Sequence, residues 1–173
     1  MNQQTLPSLD LSEAIKLAWS KLTQFSGRSR RSEFWWAYLT FYVGAIVVSM
    51  VPIIGAVAAL ALELATIPLI FRRLHDTGRS GWWMGADIIL SIAGATAFFV
   101  NFFSVMGEMF MGNEMDNMEP MEALMMVFQI FGNPVVLSLL IVSIIVKITI
   151  LVFLCQDSNP EPNRYGDSPK YVF

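Results

Sequence analysis

The chain has 173 residues, of which 55% are hydrophobic, 13% aromatic and only 14% charged, with a mean hydropathy of +0.55. This composition excludes an ordinary water-soluble domain and points to a membrane protein. A net charge of -3 leaves no domain-wide basic surface and excludes nucleic acid as the main partner, and the lone Cys155 excludes an internal disulfide or a cysteine-only metal site.

The opening segment MNQQTLPSLDLSEAIK has no basic stretch leading into an apolar one and no small-residue cleavage site. The expectation is therefore that no signal peptide is removed and that the first span inserts the chain. Leu11, Ile15, Trp19 and Leu22 recur at helical spacing with Ala14 and Ala18 beside them, and Asp10 with Glu13 forms a capping-box pattern. This predicts a short amphipathic helix over residues 11–23. Its apolar stripe suits the membrane surface, with lysines near lipid phosphates, or equally a packing face on the rest of the protein.

Next comes GRSRRSEFWW (residues 27–36), three arginines followed by an aromatic belt, the pattern of a helix entering the membrane from the cytoplasm. Apolar runs follow at residues 34–50 and 53–71, punctuated by Pro52 and Gly55. Each is long enough for a helix crossing a hydrocarbon core of about 30 Å, so together they predict a transmembrane hairpin. Further runs at residues 84–105 and 134–155 complete a count of four spans.

The basic residues set the orientation. Lys16, Lys21, Arg28, Arg30 and Arg31 precede the first span, Arg72, Arg73 and Arg79 lie between the second and third, and Arg164 and Lys170 follow the fourth. Lys147 lies inside a span, and the connections on the other side, near Pro52 and over residues 104–133, contain no lysine or arginine. By the positive-inside rule both termini are cytoplasmic. An internal echo accompanies this: Gly27-Arg28-Ser29 and Trp35-Trp36 lead into span one as Gly78-Arg79-Ser80 and Trp82-Trp83 lead into span three. It reads as two hairpins of like orientation, or as the Arg and Trp preference of any cytoplasmic helix entrance.

Three strings carry a family resemblance: GRSRRSEFWW, IPLIFRRLHDTGRSGWW (residues 67–83) and the tail NRYGDSP (residues 163–169). On these the chain resembles the domain of unknown function 805 family, the YhaH-like bacterial inner-membrane proteins. The resemblance covers most of the chain and implies a small polytopic protein of the bacterial inner (plasma) membrane, from a family without an established activity. It supplies no catalytic residue. The chain departs from the family in its long Met-rich stretch between the third and fourth spans.

Residues 71–83 read as a charged connection at headgroup level. Arg72, Arg73, Arg79 and His75 there, with Arg28, Arg30 and Arg31 before span one, are the lipid- or phosphate-binding candidates, and the plainer reading makes them topology anchors. His75 beside Asp76 suggests a proton-accepting pair, but adjacent loop residues seldom orient each other, so a structural hydrogen bond is expected. Within the spans, Glu63 and Lys147 each lie nine positions from the cytoplasmic end, at Arg72 and Gln156. Equal depth and the cost of a lone intramembrane charge, about 2.5–3.5 kcal/mol, predict a Glu63–Lys147 ion pair, fixing helix packing or serving a proton or ion relay. Asp87 and Asn101 add only a thin polar track.

The segment from Met106 to Met126 holds eight methionines, among them Met109, Met111, Met115, Met118 and Met121, with Glu108, Glu114, Asp116, Glu119 and Glu122. Spaced thioethers suit copper(I), while flexible apolar packing needs the same residues. Pro120 and Gly132-Asn133-Pro134 predict an interfacial helix over residues 121–131 with a break before span four.

The architecture expected is all-α: four transmembrane helices in two hairpins, N-in and C-in. It comprises a cytoplasmic segment 1–33 with the amphipathic surface helix, a membrane domain 34–155 with an acidic Met-rich external segment 106–133, and a cytoplasmic tail 156–173. The leading function is non-enzymatic, through membrane lipids, a protein partner or a homo-oligomer at the Arg/Trp face, with no cofactor and no nucleic acid. The alternative is a small transporter or copper(I)-handling protein using the Glu63/Lys147 pair or the Met cluster. An enzyme on lipid-linked phosphates ranks last, because no nucleophile with a placed base is visible.

Overall fold

The computed structural model describes residues 4–111 and 119–172. Among the described residues six helices carry nearly all of the regular structure: α1 (Leu11–Ser20), α2 (Arg31–Ser49), α3 (Ile54–Asp76), α4 (Trp82–Met111), α5 (Pro120–Phe131) and α6 (Pro134–Cys155). Two short strands, β1 (Gln4–Thr5) and β2 (Tyr171–Val172), pair antiparallel, with Gln4 opposite Val172 and Thr5 opposite Tyr171.

Helix α1 opens with the expected box: Asp10 Oδ1 accepts the Glu13 amide at 2.7 Å, and Glu13 Oε2 accepts the Asp10 amide at 3.2 Å. It ends at Ser20, one turn short of expectation. The helix packs on α2, burying Ala14 and Ala18 while Leu11 and Trp19 stay exposed.

α3, α4 and α6 are long and apolar enough to cross a membrane. α2, with 19 residues and two charges in its first turn, pairs with α3 in a hairpin. α6 has the predicted bounds, residues 134–155, and α5 starts on Pro120 with a capping box from Glu119 and Glu122. α4 runs past the expected residue 105 to Met111; its 30 residues span about 45 Å at 1.5 Å each, more than a hydrocarbon core.

The connection between α3 and α4 differs from expectation. Residues 71–76 are not loop: the string RRLHD is the closing stretch of α3, Trp82 and Trp83 begin α4, and residues 77–81 alone connect them. Gly78 (φ 75°) adopts the left-handed backbone that closes α3, with its amide on the His75 carbonyl. Gly81 lies so close to Phe71 that a Cβ there would fall 2.1 Å from the ring. The helical reading matters because it sets Arg73 and Asp76 three positions apart on one face.

The chain divides into two compact units, Met1–Met84 with Ile150–Phe173, and Gly85–Thr149.

Within the second unit, Lys147 of α6 donates to Asp87 at 2.5 Å and to Ser91 at 3.2 Å, both on α4. The expected Glu63–Lys147 pair is thus replaced. Asp87 and Ser91 lie four apart on one helical face, and the long lysine side chain extends toward the end of its helix to reach them. Glu63 is exposed on α3 and has no ion pair among the described residues. Farther along α4, Asn101 donates to the Gln129 and Ile130 carbonyls at the end of α5 and accepts from Asn133 Nδ2 at 3.0 Å. The break before Pro134 is therefore tied by an amide of α4.

Candidate functional site

In the first unit, two of the strings that carry the family resemblance meet at one carboxylate, where Ser158 of the tail joins them, and the third packs on their Arg28 and His75. Asp76, in the last turn of α3, has no accessible surface. Its Oδ1 accepts Arg28 Nε at 3.0 Å from the loop before α2, and its Oδ2 accepts Arg73 Nη1 at 2.5 Å and the Ser158 hydroxyl at 2.5 Å from the tail. Its carbonyl accepts the Asn159 amide at 3.1 Å.

The two guanidinium groups extend this knot. Arg28 Nη1 donates to the carbonyls of Glu161 (2.9 Å) and Gly166 (3.2 Å), and Nη2 to those of Asp76 (3.3 Å) and Asn159. Arg73 donates to the carbonyls of Leu154 (3.1 Å), Ser29 (3.4 Å) and Gln156. The planar, many-donor fork of arginine is what lets one side chain gather several carbonyls from an irregular tail.

Arg72 points the other way, donating to the Lys21 and Gln24 carbonyls after α1 at 2.6 and 2.9 Å and lying 3.7 Å from buried Glu33. His75 stacks on Tyr165 with ring centroids 3.7 Å apart and planes within 6°, and its Nδ1 lies 3.2 Å from the Gly27 carbonyl. Asn163 Nδ2 donates to the His75 carbonyl at 3.0 Å, so NRYG is held by main chain and ring together.

This placement corrects the reading of four lipid- or phosphate-binding candidates. Arg72 and Arg73 are 1% and 0% exposed, Arg28 7% and His75 9%. Their contacts run inward to carbonyls and carboxylates, because charged groups at this depth must be paired and hydrogen-bonded. Arg30, Arg31 and Arg79 are the three that retain solvent access. Arg79 lies over Phe153 at 4.5 Å, and Arg31 lies 3.6 Å from Asp157. The two GRS elements are therefore unlike in role: Arg28 is buried in the knot and Arg79 faces outward.

Two recesses flank the knot. One, of about 550 Å³, is lined by Phe25, Phe71, His75, Trp82, Arg164 and Tyr165 among others. The other, of about 310 Å³, lies between the terminal ribbon and the start of α2. There Lys170 donates to both oxygens of Asp157, at 2.8 and 2.6 Å. These bonds hold the Asp157 carboxyl below its usual range and push the Lys170 amine above its own.

Sequence reasoning missed Asp157 as the partner of Arg31 and Lys170, and Ser158 as a partner of Asp76. The only signal was a polar, proline-punctuated tail that is too short to fold alone yet carries a carboxylate and hydroxyls. Of the methionine candidates, Met109 and Met111 end α4 and Met121 lies in the first turn of α5. Met115 and Met118 lie outside the described residues. Among the described residues no group of three His, Cys, Asp or Glu side chains is placed to hold a metal ion.

Three helices long and apolar enough to cross a membrane are the mark of a helical membrane protein. The chain belongs to the family described as Protein of unknown function (DUF805), which it matches over residues 45–167. It is 28% identical over 155 residues to inner membrane protein YhaI of Escherichia coli (strain K12), covering 85% of this chain and 86% of that one. Inner membrane protein YhaI of Escherichia coli O157:H7 is similar to the same extent. No solved structure matches the chain.

Proposed function

We propose that this is a non-enzymatic, four-span protein of the bacterial inner membrane, N-in and C-in, acting through anionic-lipid contacts at a cytoplasmic face of arginine and tryptophan. The observation that carries this reading is the division of the arginines. Arg28, Arg72 and Arg73 are turned inward to build a cap on the helix ends, while Arg31 and Arg79 remain exposed, within five residues in sequence of the exposed indoles of Trp36 and Trp82. Exposed cations and indoles at helix ends suit the headgroup layer.

The four-span count is supported by the terminal ribbon. Pairing of β1 with β2 keeps both chain ends on one side, which requires an even number of crossings. α3, α4 and α6 supply three, and α2 is the helix available for the fourth. Its residues beyond Glu33 are uncharged and cover about 24 Å at 1.5 Å per residue. The copper(I) and transport readings gain nothing from Met115 and Met118, which are not described, or from Glu63, which has no ion pair among the described residues.

The test is tryptophan quenching by brominated phosphatidylglycerol in mixed bilayers, comparing the natural chain with Arg31→Gln/Arg79→Gln. At about 1 kcal/mol per basic side chain at headgroup level, the preference for phosphatidylglycerol over phosphatidylethanolamine should fall between about threefold and thirtyfold. An unchanged preference would overturn the reading.

A further inference from the structure

The recess beside the terminal ribbon combines features that nothing in the proposed lipid face requires. Its floor is the start of α2 and its rim is the ribbon itself. The Leu6 amide donates to the Lys170 carbonyl at 2.8 Å and the Leu9 amide to Ser32 Oγ at 3.2 Å, so both chain ends are drawn along α2. Into this space of about 310 Å³ come Arg30, Arg31 and Lys170, with Asp157 as the one carboxylate and the hydroxyls of Ser8 and Ser32. Three positive charges against one negative leave a net of +2.

Arg30 differs from the knot arginines in one respect. Its Nη1 is buried with no hydrogen-bond partner, whereas Arg28 and Arg73 spend their donors on carbonyls. An unsatisfied guanidinium nitrogen on a side chain that lines a cationic recess is costly to the fold, and a turn of that side chain toward an acceptor in the recess relieves it. Arg31 and Lys170 meanwhile share Asp157, at 3.6 and 2.6 Å. That pairing keeps two flexible cations at the rim in the absence of a ligand.

The geometry points to a binding site for a phosphate group, of a phospholipid or of a soluble phosphoester, formed by Arg30, Arg31 and Lys170 and closed only when the two chain ends are paired. A phosphate dianion offers the oxygens that two guanidinium groups and an ammonium can share, and its charge matches the net +2 of the walls. Ser32 and Ser8 add neutral donors. Because the site needs Lys170 from the tail and Leu6 and Ser8 from the N-terminal arm, occupancy and ribbon closure are coupled: phosphate stabilises the paired ends.

This deepens the proposed lipid contact by giving it one stoichiometric site, and the two can fail separately. The bilayer experiment reads Arg31 and Arg79 together in membranes, whereas the site is tested in detergent without added lipid. The full chain is titrated calorimetrically with inorganic phosphate and, in a second arm, with dihexanoyl phosphatidic acid. Saturable one-to-one binding is expected, weakened by at least about tenfold in Arg30→Gln/Lys170→Gln and unchanged in Arg164→Gln, an exposed arginine outside the recess. Tighter binding of the short-chain lipid assigns the site to a headgroup; equal or tighter binding of inorganic phosphate assigns it to a soluble phosphoester. A second measurement needs no variant: saturating phosphate should slow acetylation of Lys170 by at least about threefold while leaving Lys16 unchanged. No saturable binding of either ligand, equal affinity in the double variant, or no protection of Lys170 would each overturn the site.

Discussion

Replacing Asp76 by Asn removes one charge from the point where three segments meet. The side chain keeps its size, so no cavity opens, but the buried guanidinium groups of Arg28 and Arg73 lose their shared carboxylate at 3.0 and 2.5 Å. Removing one partner of a buried pair costs about 3–5 kcal/mol. The lower figure applies here, because both arginines keep carbonyl acceptors from the tail. The tail is the least anchored partner, held through Ser158, Asn159 and the carbonyls of residues 156–166, so the loss should appear first as its release. About 3 kcal/mol raises the open population about a hundredfold. When opening is faster than cleavage, tryptic cutting after Arg164 rises by the same factor. The rate is followed by mass spectrometry in detergent, with Asp167→Asn, an exposed change of equal charge in the same tail, as control. A change below about threefold for Asp76→Asn would refute the view that Asp76 holds the cap.

Gly81→Ala should destabilise the first unit by about 1–3 kcal/mol, read in denaturant midpoints, because the new Cβ meets the Phe71 ring at 2.1 Å. Gly107→Ala on open helix surface should instead be neutral or mildly stabilising. Lys147→Leu strands Asp87 without a partner and should lower the thermal midpoint, while Asp87→Leu/Lys147→Leu recovers most of the loss. If the double variant is as unstable as the sum of the singles, the pair is not coupled. The terminal latch should depend on pH with two opposite signs. Asp157 is held below its ordinary 3.8, so its contribution is present above that value and is lost as pH falls through the depressed value. Lys170 is raised above 10.5, so its contribution is present below that value and is lost as pH rises through the raised one. Spin labels at positions 5 and 171 should give a narrow distance distribution at neutral pH that broadens as pH falls well below the ordinary carboxylate value of 3.8; an equally narrow one under strongly acidic conditions would exclude the latch.

The helices were legible because apolar runs bounded by Pro, Gly and charges are a strong signal. Residues 134–155 and the Pro120 start of α5 have the expected bounds. The end of α3 was misread because Arg72, Arg73 and Asp76 look like a solvated connection when their partners are unknown. Helix and loop are equally polar there, and only the tail carbonyls make burial affordable. Lys147 illustrates a second limit. Depth along a helix suggests which charges to pair, but the lysine stem spans more than a helical turn, and Lys147 pairs with Asp87, on a face shared with Ser91. The ribbon was invisible because two-residue strands carry no periodicity.

The four-span topology is tested most directly by membrane-impermeant maleimide labelling in spheroplasts, with Cys155→Ser as background and single cysteines at Pro52, Arg79 and Ser168. Labelling of position 52 in intact spheroplasts, with 79 and 168 reacting only after lysis, is the expected result. Equal reactivity of 52 and 168 from the same side would contradict it, because α2 would then not cross.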